Sequence, residues 1–279
     1  HYWWNGEPGV GELLPRIKDL GQLPSPYLVG LMDKFFDQVL SPMIHTTRGC
    51  PFLCTFCTEG AEYYSKVAQR VDLLAEIEYI ARRVGSVPDL YLSDANFGMF
   101  KQDLEKARVI AGIQQRYGWP KRLVVSTGKN QKERIIEVAS MLDGALNIAA
   151  SLQSTDEAVL ENIKRSNISI DALNVMAKQT SVTKADTFTE IILGLPGDTM
   201  QKHINTLRDV LEADLGIIRM YQLIMLPQTE LNTPDARRRF EMKTKHRIMP
   251  RSFGRYELMG EEFAAVESEE ICVENNSLT

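Results

Sequence analysis

The chain has 279 residues, 44% of them hydrophobic and 25% charged, the balance of an ordinary folded protein able to bury a sizeable core. No stretch approaches about eighteen consecutive apolar residues and none reads as a secretory signal, so neither a membrane span nor export is expected. The net charge of −5 gives no general reason to expect a nucleic-acid partner, because phosphate binding depends on clustered Lys and Arg.

Residues 1–42 hold Trp3, Trp4 and the pair Pro24 and Pro26, which push the backbone toward extended and turn conformations. They read as an arm or linker with one short helix near 28–36. Such an arm either packs on its own domain or leads from another one. From Met43 a rhythm sets in. Strands are expected over 43–46, 89–93, 123–126, 146–151, 187–193 and 217–223. Helices are expected over 71–84, 102–117, 132–142, 157–165, 171–178 and 200–212. Six strands in alternation with helices call for an α/β fold with a parallel sheet and helices outside. Ligands of such folds bind at the carboxyl ends of the strands.

Three of the four cysteines, Cys50, Cys54 and Cys57, follow the first strand with spacing C-x3-C-x2-C. Soft thiolates select zinc, copper(I) or iron–sulfur clusters. A closed zinc site needs four protein ligands, and no fourth is evident: His45 reads as a strand residue and Cys272 lies far away. Three thiolates suit a [4Fe–4S] cube with one iron open to an amine and a carboxylate. A zinc knuckle or simple buried thiols is the plainer alternative. Clustered thiols beside a solitary, structural Cys272 do not form a disulfide framework, which points to a reducing compartment, the cytoplasm.

Polar residues stand at the other strand ends: Asp94 and Asn96, the loop 126–130, Ser151 and Gln153 with Arg165 twelve residues beyond, the turn from Gly194 to Asp198, and the loop around Leu226. Each has a bland reading, as an Asx turn, a helix cap or a cation near a helix end. Arg237 to Arg239, Lys243, Lys245, Arg247 and Arg251 make a basic run, read as a solvated helix face. Both ends read as cut, since the chain starts at His1 and stops soon after a strand-like run over 270–273.

The cysteine spacing with Phe56 just before the last cysteine resembles the radical S-adenosylmethionine (radical SAM) superfamily, over about residues 43–231. The resemblance implies a partial (β/α)6 TIM-like barrel of parallel strands. Residues 232–279 are then a C-terminal, helix-rich extension covering the barrel mouth. It makes Cys50, Cys54 and Cys57 the ligands of a [4Fe–4S] cluster whose open iron binds SAM, and it makes the chemistry reductive cleavage to a 5′-deoxyadenosyl radical that abstracts hydrogen. It places Phe56 beside adenine, with Gln153 of the Ser151–Gln153 pair on the ribose hydroxyls, Arg165 on the SAM carboxylate and Gly194 and Leu226 along the adenosyl group. Asp94 and Asn96 stand where relatives carry a Gly-Gly-Glu type turn that contacts the methionine amine of SAM, so the resemblance makes Asp94 the equivalent carboxylate and Asn96 a hydrogen-bonding partner; Gln228 stands where a Gly is usual. The arm and the Thr-Glu-Gly after Cys57 look like the cobalamin-binding class, many of whose members transfer methyl groups. Cobalamin is then expected in the full-length parent and not in this fragment alone. A reducing donor such as a flavodoxin or ferredoxin is implied; the substrate is not. A methylthiotransferase-like enzyme and a non-catalytic iron–sulfur domain are the alternatives.

Overall fold

A computed structural model describes residues 2–12, 14–149, 151–167, 187–213 and 216–278. The helix expected over 171–178 lies outside the described residues. The elements in order are β1 (Tyr2–Trp4), β2 (Glu7–Gly9), β3 (Met43–Ile44), β4 (Thr47–Arg48), β5 (Ala68–Gln69), α1 (Leu74–Ala81), β6 (Asp89–Leu92), α2 (Gln102–Tyr117), β7 (Arg122–Val124) and α3 (Lys132–Met141). They continue with β8 (Ile148–Ala149), α4 (Glu157–Asn162), β9 (Thr187–Leu193), α5 (Met200–Glu212), β10 (Ile217–Gln222), α6 (Pro234–Arg239), β11 (Lys243–Leu258) and β12 (Glu261–Glu274).

Apolar spacing explains the helices. In α2, Ala107, Ile110 and Ile113 are fully buried on one face, and Gly118 caps the helix in the left-handed region at φ 64°. In β9 the buried Thr187, Thr189 and Ile191 alternate with half-buried Phe188, Glu190 and Ile192, so one face meets the helices and the other a cavity. Strands β3, β6 and β7 pair in parallel, as do β8, β9 and β10. A parallel bridge between Leu123 and Leu146 joins the two sheets. The main core packs α1, α2, α3 and α5 on this surface through residues such as Ile77, Ile110, Val138, Val210, Leu90 and Ile148. A second cluster joins α4 to the C-terminal region through Leu160, Leu195, Leu223, Leu231, Phe240 and Cys272.

The arm departs from expectation. Gly30 turns left-handed at φ 76°, so 28–36 folds as turns ending in one 3-10 turn, Asp33–Phe35, instead of a helix. Tyr27 is buried in the main core, and its hydroxyl bridges the Met43 amide and carbonyl at 2.9 and 3.0 Å. That part of the arm therefore packs on this domain. Trp3 and Trp4, on the β1–β2 hairpin, remain about 70% exposed.

The C-terminal region corrects the sequence reading more strongly. It is a long antiparallel hairpin, β11 with β12, and only the six residues of α6 are α-helical. The basic run is a solvated helix face only in part: Arg238 and Arg239 are exposed on α6, whereas other charges of the run are matched by acidic residues of β12. Lys243 pairs with Glu274 at 2.8 Å, Arg247 with Glu269 at 2.7 Å, and Arg237 grips Glu270 with two bonds of 2.8 and 2.6 Å. The base of β12 then adds to the chain leaving β10: the Met225 amide donates to the Glu270 carbonyl at 2.8 Å and the Cys272 amide to the Leu223 carbonyl at 2.9 Å.

The bond from Arg237 pulls the Glu270 carboxyl from 4.5 down to about 2. A carboxyl depressed in the folded state contributes stability above its unfolded pKa and loses it as pH falls through the folded one. The wild type is therefore expected to exceed Glu270→Gln by about 1–2 kcal/mol above pH 5, less than the full shift because the pair is partly solvated. Urea titrations should show that gap closing as pH falls toward 2. A gap independent of pH would contradict the assignment.

Candidate functional site

The cysteine loop leaves the carboxyl end of β3, and β4 pairing with β5 closes its base. Within it the Cys57 amide donates to the Cys54 carbonyl at 3.1 Å and the Gly60 amide to the Cys57 carbonyl at 2.9 Å. Two glycines make this winding possible. A Cβ on Gly49, at φ 102°, would stand 2.5 Å from the Tyr64 carbonyl oxygen, and one on Gly60 would stand 2.0 Å from that of Cys54. Thr55 stitches the loop to its surroundings: its amide donates to the Ile163 carbonyl at 3.1 Å and its carbonyl accepts from Leu231 at 2.9 Å. Ile163 lies just past α4, two residues before Arg165, so the same bond fixes Arg165 against the loop.

Cys50 and Cys57 line a cavity of about 230 Å³, together with Phe56, Lys129, Ser151, Gln153, Arg165 and Glu190. Cys50 and Cys54 are buried and Cys57 half-buried. Donors converge on the sulfurs. Asn96 Nδ2 is 3.2 Å from Cys50 Sγ, Lys129 Nζ is 3.6 Å from Cys54 Sγ, and Arg165 Nη1 is 3.9 Å from the same sulfur. Arg165 also donates to the Ser151 carbonyl and, at 2.8 Å, to Asn167 Oδ1. Burial draws the Arg165 guanidinium below its ordinary pKa, with Cys54 opposing, and burial pushes the Cys57 thiol up against the pull of the Glu59 amide and Lys129.

Two buried amide oxygens here, Gln153 Oε1 and Asn96 Oδ1, have no hydrogen-bond partner among the described residues. An acceptor left so costs about 1–3 kcal/mol, and a ligand hydroxyl or amine would remove the cost. Gln153 also sits in the left-handed region at φ 66°, a strained backbone of the kind that gathers at binding sites. Among the described residues no three His, Cys, Asp or Glu side chains converge tightly enough to chelate one metal ion. A four-iron cube takes one cysteine per iron and spreads its ligands more widely than a single zinc does. Thiolates with two cations and an amide beside them fit such an anionic cluster, and the orphaned oxygens fit a polar ligand next to it.

Beneath the loop runs a buried chain of charge. The Asp94 carboxylate accepts from the amides of Thr46 and Thr47 at 2.8 and 3.0 Å and from the Thr46 hydroxyl. The Thr47 hydroxyl accepts from Lys106 Nζ at 2.7 Å, and Lys106 pairs with Asp103 at 2.9 Å. Asp103 in turn accepts from the amides of Gly98 and Phe100 at 2.9 and 3.0 Å. Asp94, expected as a ligand carboxylate, is thus engaged by three donors and holds the root of the loop.

Gly194 and Leu226 are not among the described residues that line the cavity. The Gly194 carbonyl accepts from Asn275 at 3.0 Å and that of Leu226 from Asn232 at 3.0 Å. Sequence reasoning gave no role to Lys129, Asn167 or Glu190. Lys129 was visible only as part of a polar strand-end loop, and Glu190 only as a residue of the fifth expected strand. Gln228 adopts φ 65°, which explains why glycine suits this turn. Gln228→Gly is therefore expected to raise stability by up to about 1 kcal/mol in chemical denaturation, whereas Gln228→Val should lower it.

The radical SAM superfamily profile matches residues 44–210, and the chain belongs to that superfamily. It is 34% identical over 255 residues to the cobalamin-dependent radical SAM methyltransferase TokK of Streptomyces tokunonensis, covering 85% of this chain and 36% of TokK. It is 35% identical over 238 residues to the 2-(S-pantetheinyl)-carbapenam-3-carboxylate methyltransferase of Streptantibioticus cattleyicolor, covering 80% and 34%. The chain thus spans about a third of the length of the curated relatives it matches. Its fold resembles that of the radical SAM methyltransferase TsrM from Kitasatospora setae, with TM-score 0.60 at 15% identity over 71% of this chain and 39% of that one.

Proposed function

We propose that residues 43–231 form the radical SAM core, a partial (β/α)6 barrel, of a cobalamin-dependent methyltransferase. The observation that carries this reading is the convergence of Asn96 on the Cys50 sulfur and of Lys129 and Arg165 on the Cys54 sulfur, beside a cavity that Cys50, Cys57 and Gln153 line and where the Gln153 oxygen has no partner among the described residues. Cys50, Cys54 and Cys57 would hold a [4Fe–4S] cluster, which when bound would supply the reductive cleavage of SAM that yields a hydrogen-abstracting adenosyl radical. The chain's own residues do the rest. Cys50, Cys54 and Cys57 ligate, and the Asn96 amide and the two cations stabilise charge on the sulfurs. Arg165 turns its fork to the SAM carboxylate, Gln153 Oε1 accepts from a ribose hydroxyl, Ser151 braces that strand end, and Phe56 packs on adenine. Gly194 and Leu226 border the adenosyl group from the C-terminal side by family resemblance. Asp94 positions the loop.

Cobalamin, in this proposal, is held by parts of the parent protein outside these residues, in keeping with the relatives' names. The electron donor is a flavodoxin or ferredoxin. Residence in the cytoplasm is supported by four cysteines that are all free thiols. No described helix is long and apolar enough to cross a membrane. Anaerobically reconstituted protein is expected to hold about four irons and four sulfides per chain, lost together in Cys54→Ala. Retention of tight zinc, with no iron taken up, would overturn the reading.

A further inference from the structure

A second cavity, of about 570 Å³, lies on the inner face of the parallel strands and shares Ala95, Ser126, Ser151 and Glu190 with the cysteine cavity. Two arginines reach it. Arg122 is occupied by Asp89, with bonds of 2.6 and 3.0 Å. Arg219 differs. Its guanidinium lies over the Phe188 ring, 4.1 Å from the centroid, and its nearest carboxylate oxygen, on Glu190, stands 4.0 Å away, beyond hydrogen-bonding distance. The other Glu190 oxygen accepts from the Ser151 hydroxyl at 2.8 Å. Among the described residues the Arg219 side chain donates no hydrogen bond.

A guanidinium held over an aromatic ring gains no hydrogen bond from it, so its N–H groups stay available, and their fork matches the two oxygens of a carboxylate. Glu190 and Glu59 face the same space, so a singly charged carboxylate is better tolerated than a doubly charged phosphate. The register sets Arg219 directly opposite Glu190 on the adjacent strand, about 5 Å across the sheet. Glu190 borders the cysteine cavity. An acid gripped at Arg219 would therefore lie with its body reaching toward the place where the radical forms.

We infer that Arg219 is a specificity-determining residue that binds a carboxylate of the substrate, which makes the substrate class a small organic acid. The inference rests on the proposed radical SAM reading. The test uses benzoate as probe, on reconstituted holoprotein saturated with SAM so that Arg165 is not available, with binding read by equilibrium dialysis. Benzoate is expected to bind, benzamide not, and phenyl phosphate more weakly than benzoate. Arg219→Met should weaken benzoate at least tenfold, and Arg219→Lys should fall between. Equal binding of benzoate and benzamide, tighter phenyl phosphate, or unchanged benzoate affinity in both variants would overturn the carboxylate site. The EPR response of the wild-type cluster to SAM separates the two claims. If it is absent while benzoate binding depends on Arg219, the radical reading fails and the acid site stands; if it is present while benzoate is indifferent to Arg219, the reverse holds.

Discussion

Arg165→Met is expected to weaken SAM binding about tenfold to a hundredfold while iron and sulfide content stay at the wild-type level. The reasoning starts from burial. The Arg165 residue is only 8% exposed, and its neighbours are a cysteine sulfur at 3.9 Å, a carbonyl and an amide oxygen. The carbonyl and amide carry no net charge. A guanidinium so placed has lost its hydration and gains most from a carboxylate that accepts two of its N–H groups. Removing it takes charge-assisted hydrogen bonds from the ligand but no ligand from iron. Arg165→Lys should restore little, because an ammonium cannot offer the paired donors. Because Arg165 also ties Ser151 and Asn167 together, thermal melts of both variants must accompany the binding measurement. Wild-type SAM affinity in a folded, cluster-loaded Arg165→Met protein would remove Arg165 from the site.

Lys106→Met carries the largest expected cost to stability, about 3–5 kcal/mol, or roughly a 10 °C drop in Tm. Lys106 and Asp103 are both fully buried, and removal of the cation leaves a buried carboxylate with only two backbone amides. The Thr47 hydroxyl loses its donor at the same stroke, so the root of the cysteine loop loosens and iron loading should fall with it. The paired change Lys106→Met with Asp103→Leu should recover most of the loss, since it removes both charges. Guanidinium unfolding of the single and double variants measures this directly. A Lys106→Met protein as stable as wild type would show that the pair does not bear on stability.

Much of the core was legible because its signals are local. Helical spacing in α2 and the run of β-branched and aromatic residues in β9 each lie within one element, and the expected bounds of α2, β9 and α5 coincide with those found. The first strand was read longer than it is, since from Thr46 onward the backbone turns to Asp94 and Arg70. The cysteine loop was legible because its three cysteines lie within eight residues of one segment. Roles that depend on distant partners were not. Lys129 meets Cys54 across 75 residues, and Glu190 meets Ser151 across 39. The C-terminal hairpin escaped for the same reason. Its basic residues looked like one helix face, and their acidic partners are more than twenty residues further along. The clamp at Asp94 depends on Thr46 and Thr47, nearly fifty residues away, for which sequence reasoning proposed no partner.

The most direct measurement is the EPR spectrum of the anaerobically reconstituted, dithionite-reduced protein with and without SAM, with 5′-deoxyadenosine assayed in the same samples. A four-iron signal that changes on adding SAM, together with deoxyadenosine formation, is the predicted result. A cluster indifferent to SAM that forms no deoxyadenosine would contradict it.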